Sequence, residues 1–167
     1  MVSVGDVAPS FTLHGVDGLT GAPGTYSLDD ARGRPVVLVF YPNDNSPICR
    51  KQLAEYTEGM ASFRELDATV LGISPWSVSS HAAFAQRSGG FGFPLLSDHD
   101  KDVARRYGVL GMLDLYRRCT FVLDADGIVR YSHRYLGGGF GYRPVSELVA
   151  AVAAVSMPSG GDETAPS

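Results

Sequence analysis

The stretch PVVLVFYPNDNSPICRKQLAEYTEGM, residues 35–60, changes its hydrophobic period partway along. Its first half is a continuous valine-rich run of strand length, the pattern of a strand buried on both faces. Pro42 ends that run. Beyond it, Cys49, Leu53, Tyr56, Met60, Phe63 and Leu66 recur every three or four positions, which is the apolar stripe of a helix. The boundary is specific as well. Ser46 is a favoured N-cap, Pro47 suits the first helical position, and a residue before proline is pushed out of helical angles, as a cap requires. A strand over 36–41, a loop and a helix starting at Pro47 follow, with Cys49 as the third helical residue.

Outward from this unit the periods keep alternating. ATVLGIS (68–74) reads as strand and SVSSHAAFAQRS (77–88) as a serine-capped helix. GGFGFPLLSD supplies a loop and short strand, and DHDKDVARRYGV places aspartates at a helix start and arginines at its end, as the helix dipole favours. CTFVLDADGIVRYSH (119–133) is a strand, turn, strand signal. Residues 10–35, cut by glycine-rich turns, predict a small hairpin or two. PVSELVAAVAAV (144–155) predicts a last helix led by proline, after the loop YLGGGFGYR. The expectation is a single α/β domain over 1–157, a mixed sheet with helices on both faces, and a disordered tail over 158–167.

Bulk properties narrow the function. Charged residues make up 19% of the 167 and the net charge is −4, with no basic stripe, so nucleic acid has no electrostatic reason to bind. The apolar runs fall far short of the roughly 20 residues that span a bilayer, and the N-terminus lacks a signal-peptide pattern. A cytoplasmic protein without membrane contact is expected. His14, His81, His99 and His133 are scattered without ligand spacing, SDHDKD reads as a solvated helix start, and the two Gly-Phe loops lack the helix a phosphate loop needs. No metal or cofactor is implied, and Trp76 is read as surface packing.

The chain has two cysteines, 49 and 119. A free cysteine is most often a small buried hydrophobe. Cys49 departs from that rule because the first turn of a helix presents unpaired N–H groups and a positive dipole end that favour a thiolate. Ionisation alone is a modest gain. An ordinary thiol is a few per cent ionised at neutral pH, so full ionisation raises its rate at most roughly 30-fold. Fast chemistry therefore needs groups that orient and polarise the acceptor: the Ser46 hydroxyl, the N–H groups of Ile48 and Cys49, and a distant arginine. Asp44 opposes a thiolate unless it faces solvent. Thioredoxin-type disulfide exchange is argued against, since it needs a second cysteine after two intervening residues, where Gln52 stands.

YPNDNSPIC resembles the peroxiredoxin pattern of proline, three residues, threonine or serine, two residues and cysteine, through Pro42, Ser46 and Cys49. It is similar to the bacterioferritin-comigratory, or Q-type, form of that AhpC/TSA family. VGDVAPSFTL, RGRPVVLVFYP, FGFPLLSDHDKDVARRYGVLG and RCTFVLDADGIVR extend the resemblance over most of the chain. It implies a thioredoxin-like fold with an N-terminal hairpin extension, and a peroxidase acting on hydrogen peroxide or organic hydroperoxides. Cys49 is then the peroxidatic cysteine, Ser46 a hydrogen-bond partner of the peroxide, Pro42 a shield, and Arg118 the arginine that supports the thiolate and binds the peroxide. The resolving cysteine that many Q-type members carry five residues on is replaced by Ala54. Cys119 neighbours Arg118 on a predicted strand, so it faces away if Arg118 faces the site. A one-cysteine cycle with thioredoxin or a small thiol as reductant follows, in a monomer or homodimer. The competing roles are a peroxide sensor without turnover and an interaction module of the same fold.

Overall fold

A computed structural model describes residues 2–135 and 142–156. Most of the predicted loop 135–143 and the predicted tail 158–167 lie outside the described residues. Strand β1 (Thr12–Val16) pairs antiparallel with β2 (Pro23–Ser27), forming one hairpin where the sequence allowed two. Strand β3 (Val36–Phe40) is followed by helices α1 (Pro47–Glu58) and α2 (Met60–Glu65), then β4 (Thr69–Ser74) and α3 (Val78–Arg87). The rest comprises β5 (Leu95–Ser97), α4 (Asp102–Tyr107), β6 (Cys119–Leu123), β7 (Val129–Arg134) and α5 (Val145–Ser156). The seven strands form one mixed sheet in the order β2-β1-β5-β4-β3-β6-β7.

The apolar stripe predicted as one helix is two. Gly59 separates α1 from α2, and a Cβ on Gly59 would lie 2.4 Å from Val145 Cγ2, so the break lets α5 approach closely. The stripe still does its work: Cys49, Leu53, Tyr56, Met60 and Phe63 are all buried.

Alternation along β3 divides the core. Val36, Leu38 and Phe40 pack on the face of α4 and the N-terminal segment, and Val37, Val39 and Tyr41 on the face of α1, α2, α3 and α5. Both faces are fully covered, as the continuous apolar run of β3 predicts. The predicted solvated start of α4 is corrected at one residue. Asp98 is fully buried, because its carboxylate accepts the Val103 and Ala104 N–H groups at 3.0 and 2.8 Å and the Tyr116 hydroxyl at 2.9 Å. It satisfies the orphan donors of α4, whose N-cap position holds Lys101 in a left-handed conformation with no side-chain cap. Among the described residues no helix is long and apolar enough to cross a membrane.

Candidate active site

β3 runs parallel to β4 and antiparallel to β6. The loops that leave β3 and β4 therefore open at one edge of the sheet, and the start of β6 arrives there too. Register makes this concrete: Phe40 faces Cys119, which sets Arg118 level with Tyr41 just past the end of β3.

Ser46 has extended angles (φ −88, ψ 126), and its Oγ accepts the Cys49 N–H at 3.3 Å, with Pro47 opening the helix. Cys49 thus sits at N3, where the boundary residues predicted it, and its side chain is wholly buried. Arg118 reaches it from the sheet. One guanidinium nitrogen lies 3.3 Å from Cys49 Sγ, and the other terminal nitrogen donates to Gln52 Oε1. Gln52 is buried on α1 three residues beyond Cys49, so one guanidinium spans a full helical turn. The Arg118 carbonyl accepts Tyr135 N at 3.0 Å, fixing the backbone from which the side chain extends. Pro42 is half-buried in the same loop and held from the other side, since the Trp76 indole N–H donates to the Pro42 carbonyl at 3.1 Å. Trp76 is thus a strut for the loop rather than surface packing.

Asp44 corrects the expectation that it must face solvent. It is buried, with Oδ1 accepting the Tyr41 hydroxyl at 2.8 Å and Oδ2 accepting the Ser80 hydroxyl at 2.7 Å. His81 Nδ1 lies 2.7 Å from the same Oδ2, and His81 Nε2 lies 3.0 Å from the Leu96 carbonyl. The Leu96 carbonyl can only accept, so His81 Nε2 donates to it, and both Asp44 oxygens are held inside the network of Tyr41, Ser80 and His81. Burial, and next the Asp44 charge, push the Tyr41 phenol well above its usual range, so it remains a donor. Residues 44 and 81 are too far apart for any local spacing rule. Only the parallel pairing of β3 with β4 brings their loops together.

Cys119 lies on the other face of the sheet, in the cluster of Phe40, Tyr107 and Phe121. Burial, the largest effect, pushes its thiol up to about 11 despite the nearby Arg134. Among the described residues no three His, Cys, Asp or Glu side chains gather as a metal site would require.

The structural class is a thioredoxin-like α/β fold carrying a cysteine at a helix start. The family model for the AhpC/TSA family matches residues 4–132. The chain belongs to that family. Peroxiredoxin Q of wheat chloroplasts is 41% identical over 132 residues, covering 78% of this chain and 58% of the relative. The chain thus spans little more than half the length of that plant protein. A putative peroxiredoxin of Mycobacterium tuberculosis is 38% identical over 130 residues, covering 74% of this chain and 79% of the relative. Among solved structures, Enterococcus faecalis AhpC superposes with a TM-score of 0.86 at 26% identity, covering 99% of this chain and 100% of that one. The Xanthomonas campestris bacterioferritin comigratory protein, whose structures concern alkyl peroxide reduction, gives a TM-score of 0.72 at 28% identity, covering 86% of this chain and 92% of that one.

Proposed function

We propose that this chain is a thiol peroxidase that reduces hydrogen peroxide and organic hydroperoxides through Cys49 alone, drawing its reducing thiol from another molecule. The observation that carries this reading is the contact between Arg118 and Cys49 Sγ at 3.3 Å, made while Ser46 holds the Cys49 N–H. A purely structural cysteine has no use for a part-buried guanidinium at its sulfur, where a charge withdrawn from water is costly unless it is partnered.

The thiolate attacks one peroxide oxygen, the O–O bond breaks, and the leaving alkoxide takes a proton to become an alcohol, or water from hydrogen peroxide. Sulfur is oxidised to the sulfenic acid. Ser46 Oγ accepts from the Cys49 backbone, so its own hydrogen is left to donate to a peroxide oxygen. Arg118 touches the sulfur and supplies charge where negative charge shifts from sulfur to the leaving oxygen. Pro42 and its Trp76 strut wall the loop and limit water. A thiol then displaces hydroxide from the sulfenic sulfur, which leaves as water, to form a mixed disulfide. A second thiol releases the protein as Cys49 thiol and carries away the external disulfide.

The placement of Cys119 on the opposite face of the sheet from Cys49 supports a cycle that does not use it. Rapid mixing of reduced protein with hydrogen peroxide, read by sulfenic-acid trapping at Cys49, tests the proposal. Oxidation no faster than that of free cysteine defeats it. A Cys49–Cys119 disulfide formed quantitatively by one equivalent of peroxide defeats the one-cysteine cycle.

A further inference from the structure

Helix α3 grips the loop before Cys49 at three points. Ser80 and His81 contact the Asp44 carboxylate. Arg87, about two turns further on, donates from one terminal nitrogen to the Asp44 carbonyl at 2.7 Å and to Asn45 Oδ1 at 3.0 Å. Its guanidinium carbon also stands 5.2 Å from the centre of the Phe84 ring, which steadies the fork. One nitrogen thus serves the loop, while Nε and the other terminal nitrogen donate to nothing among the described residues. Arg87 lines a cavity of about 430 Å³ between α3 and α1, and the α1 side of that cavity carries Arg50 and Lys51. Among the described residues none of these three cations has a carboxylate within salt-bridge distance, although six ion pairs occur elsewhere. The one acid of the wall, Asp44, turns its carboxylate inward to Tyr41, Ser80 and His81.

We propose that this cavity binds a small molecule carrying a diphosphate group, which takes no part in the chemistry but staples α1 to α3 and holds the loop before Cys49 closed. A guanidinium fork matches phosphate oxygens, so Arg87 keeps the loop with one nitrogen and takes the ligand with the others. Cations on two helices call for anionic groups at two points, which a single oxyanion does not offer. The volume is that of a small-molecule site, and Pro47, Ala54 and Phe84 leave apolar wall for an organic remainder. The consequence falls on one half of the cycle. Cys49 is wholly buried, so a thiol larger than a peroxide reaches the oxidised sulfur only when the loop opens. A ligand held by the closed form alone lowers the open fraction by a factor of one plus its concentration over its Kd. Reduction therefore slows, while oxidation in the closed form does not. The binding stands on the cavity itself, and the slowing rests on the peroxidase reading above.

Pyrophosphate is the probe, with sulfate at equal ionic strength as the single oxyanion, and binding to the full chain is read by calorimetry. Pyrophosphate should bind with a Kd of about 1 mM or below at low salt, and sulfate at least about fivefold more weakly. Exposed cations contribute about two- to fivefold each, so the Arg50→Gln, Lys51→Gln double variant should weaken pyrophosphate roughly tenfold. Arg34→Gln, which removes a cation paired elsewhere with Asp67, should leave it unchanged. In the kinetic arm, pyrophosphate at about ten times its Kd should slow reduction of preoxidised Cys49 by mercaptoethanol up to about tenfold, and leave oxidation by hydrogen peroxide within about twofold. Arg87→Lys should keep part of the binding and lose the slowing, because one ammonium cannot serve loop and ligand as a fork does. No binding up to about 10 mM, equal affinity for sulfate, or binding that survives the double variant overturns the site. Binding without slower reduction overturns the staple. Failure of hydrogen peroxide to oxidise Cys49 removes the peroxidase reading and the slowing with it, and leaves the calorimetric result standing by itself.

Discussion

Cys49 and Cys119 are both buried to within a percent or so of full enclosure, yet their surroundings differ in every respect that matters for chemistry. Cys49 stands in the first turn of a helix with a guanidinium at its sulfur and a hydroxyl on its N–H. Cys119 lies in the middle layer of a sheet against aromatic rings, with its thiol pushed up to about 11 by that burial. Burial alone therefore says nothing about the reactivity of a thiol. What differs is the setting: Cys49 stands at a helix start with a guanidinium nitrogen 3.3 Å from its sulfur, whereas at Cys119, on a strand, burial outweighs the nearby Arg134. Arg118 and Cys119 are neighbours in sequence, and the pleat sends one to each face, so a single stretch of chain supplies both the guanidinium at Cys49 Sγ and the thiol on the opposite face.

The largest expected effect breaks the comparison outright. Cys49→Ser should lower peroxide turnover roughly a thousandfold or more, while Cys119→Ala should retain Cys49 oxidation, as followed by rapid mixing with peroxide. Comparable losses in both variants would mean that Cys119 takes part. Next, Arg118→Ala removes a charge-assisted contact to sulfur and should slow oxidation about 10- to 100-fold, measured as the second-order rate with hydrogen peroxide. Arg118→Lys should recover only part of that, because an ammonium cannot reach Cys49 and Gln52 together.

A third substitution sharpens the contrast between the loop and the sheet. Asp44→Ala leaves His81 as an unpaired buried base or cation and should cost about 3 kcal/mol in urea unfolding. It should slow peroxide oxidation as well, since the residue anchors the loop between Pro42 and Ser46. Equal stability loss with unchanged oxidation would reduce the network to a structural role. Smallest is the loss of the Cys119 sulfur, about 1–2 kcal/mol for Cys119→Ala. Its pH signature is distinctive. The folded state holds the Cys119 proton above the ordinary thiol range, so that contribution is intact below roughly pH 8.5 and is lost as pH rises toward about 11. Between those limits the wild type should lose about 1.4 kcal/mol per pH unit that Cys119→Ala does not.

Much of the site was legible locally. Ser46, Pro47 and Cys49 form one boundary, and the cap preferences of a serine and proline pair suffice to place the thiol at N3. The facing of Cys119 away from Arg118 likewise needed only strand alternation. Gln52 was read only as the residue standing where a thioredoxin-type second cysteine would, and it becomes a contact of Arg118, which no spacing rule for α1 alone reveals. The stripe of α1 was legible as apolar, but the close approach at Gly59 was not, because the side chain it admits is Val145, more than eighty residues on.

The settings of Asp44, Trp76 and Asp98 were misjudged for one reason. Polar residues in loops read as solvated unless a distant element covers them, and coverage is a property of strand order. The amino-acid sequence by itself determined the strand, the capped helix, the position of Cys49 and the alternation that separates the two thiols, because each follows from periods and preferences acting over a few residues. Only the tertiary structure decided that Arg118 meets Cys49 and that Asp44 bonds Tyr41, Ser80 and His81 instead of facing solvent. Those outcomes depend on which strands lie side by side, and the sheet order is chosen by packing over the whole chain.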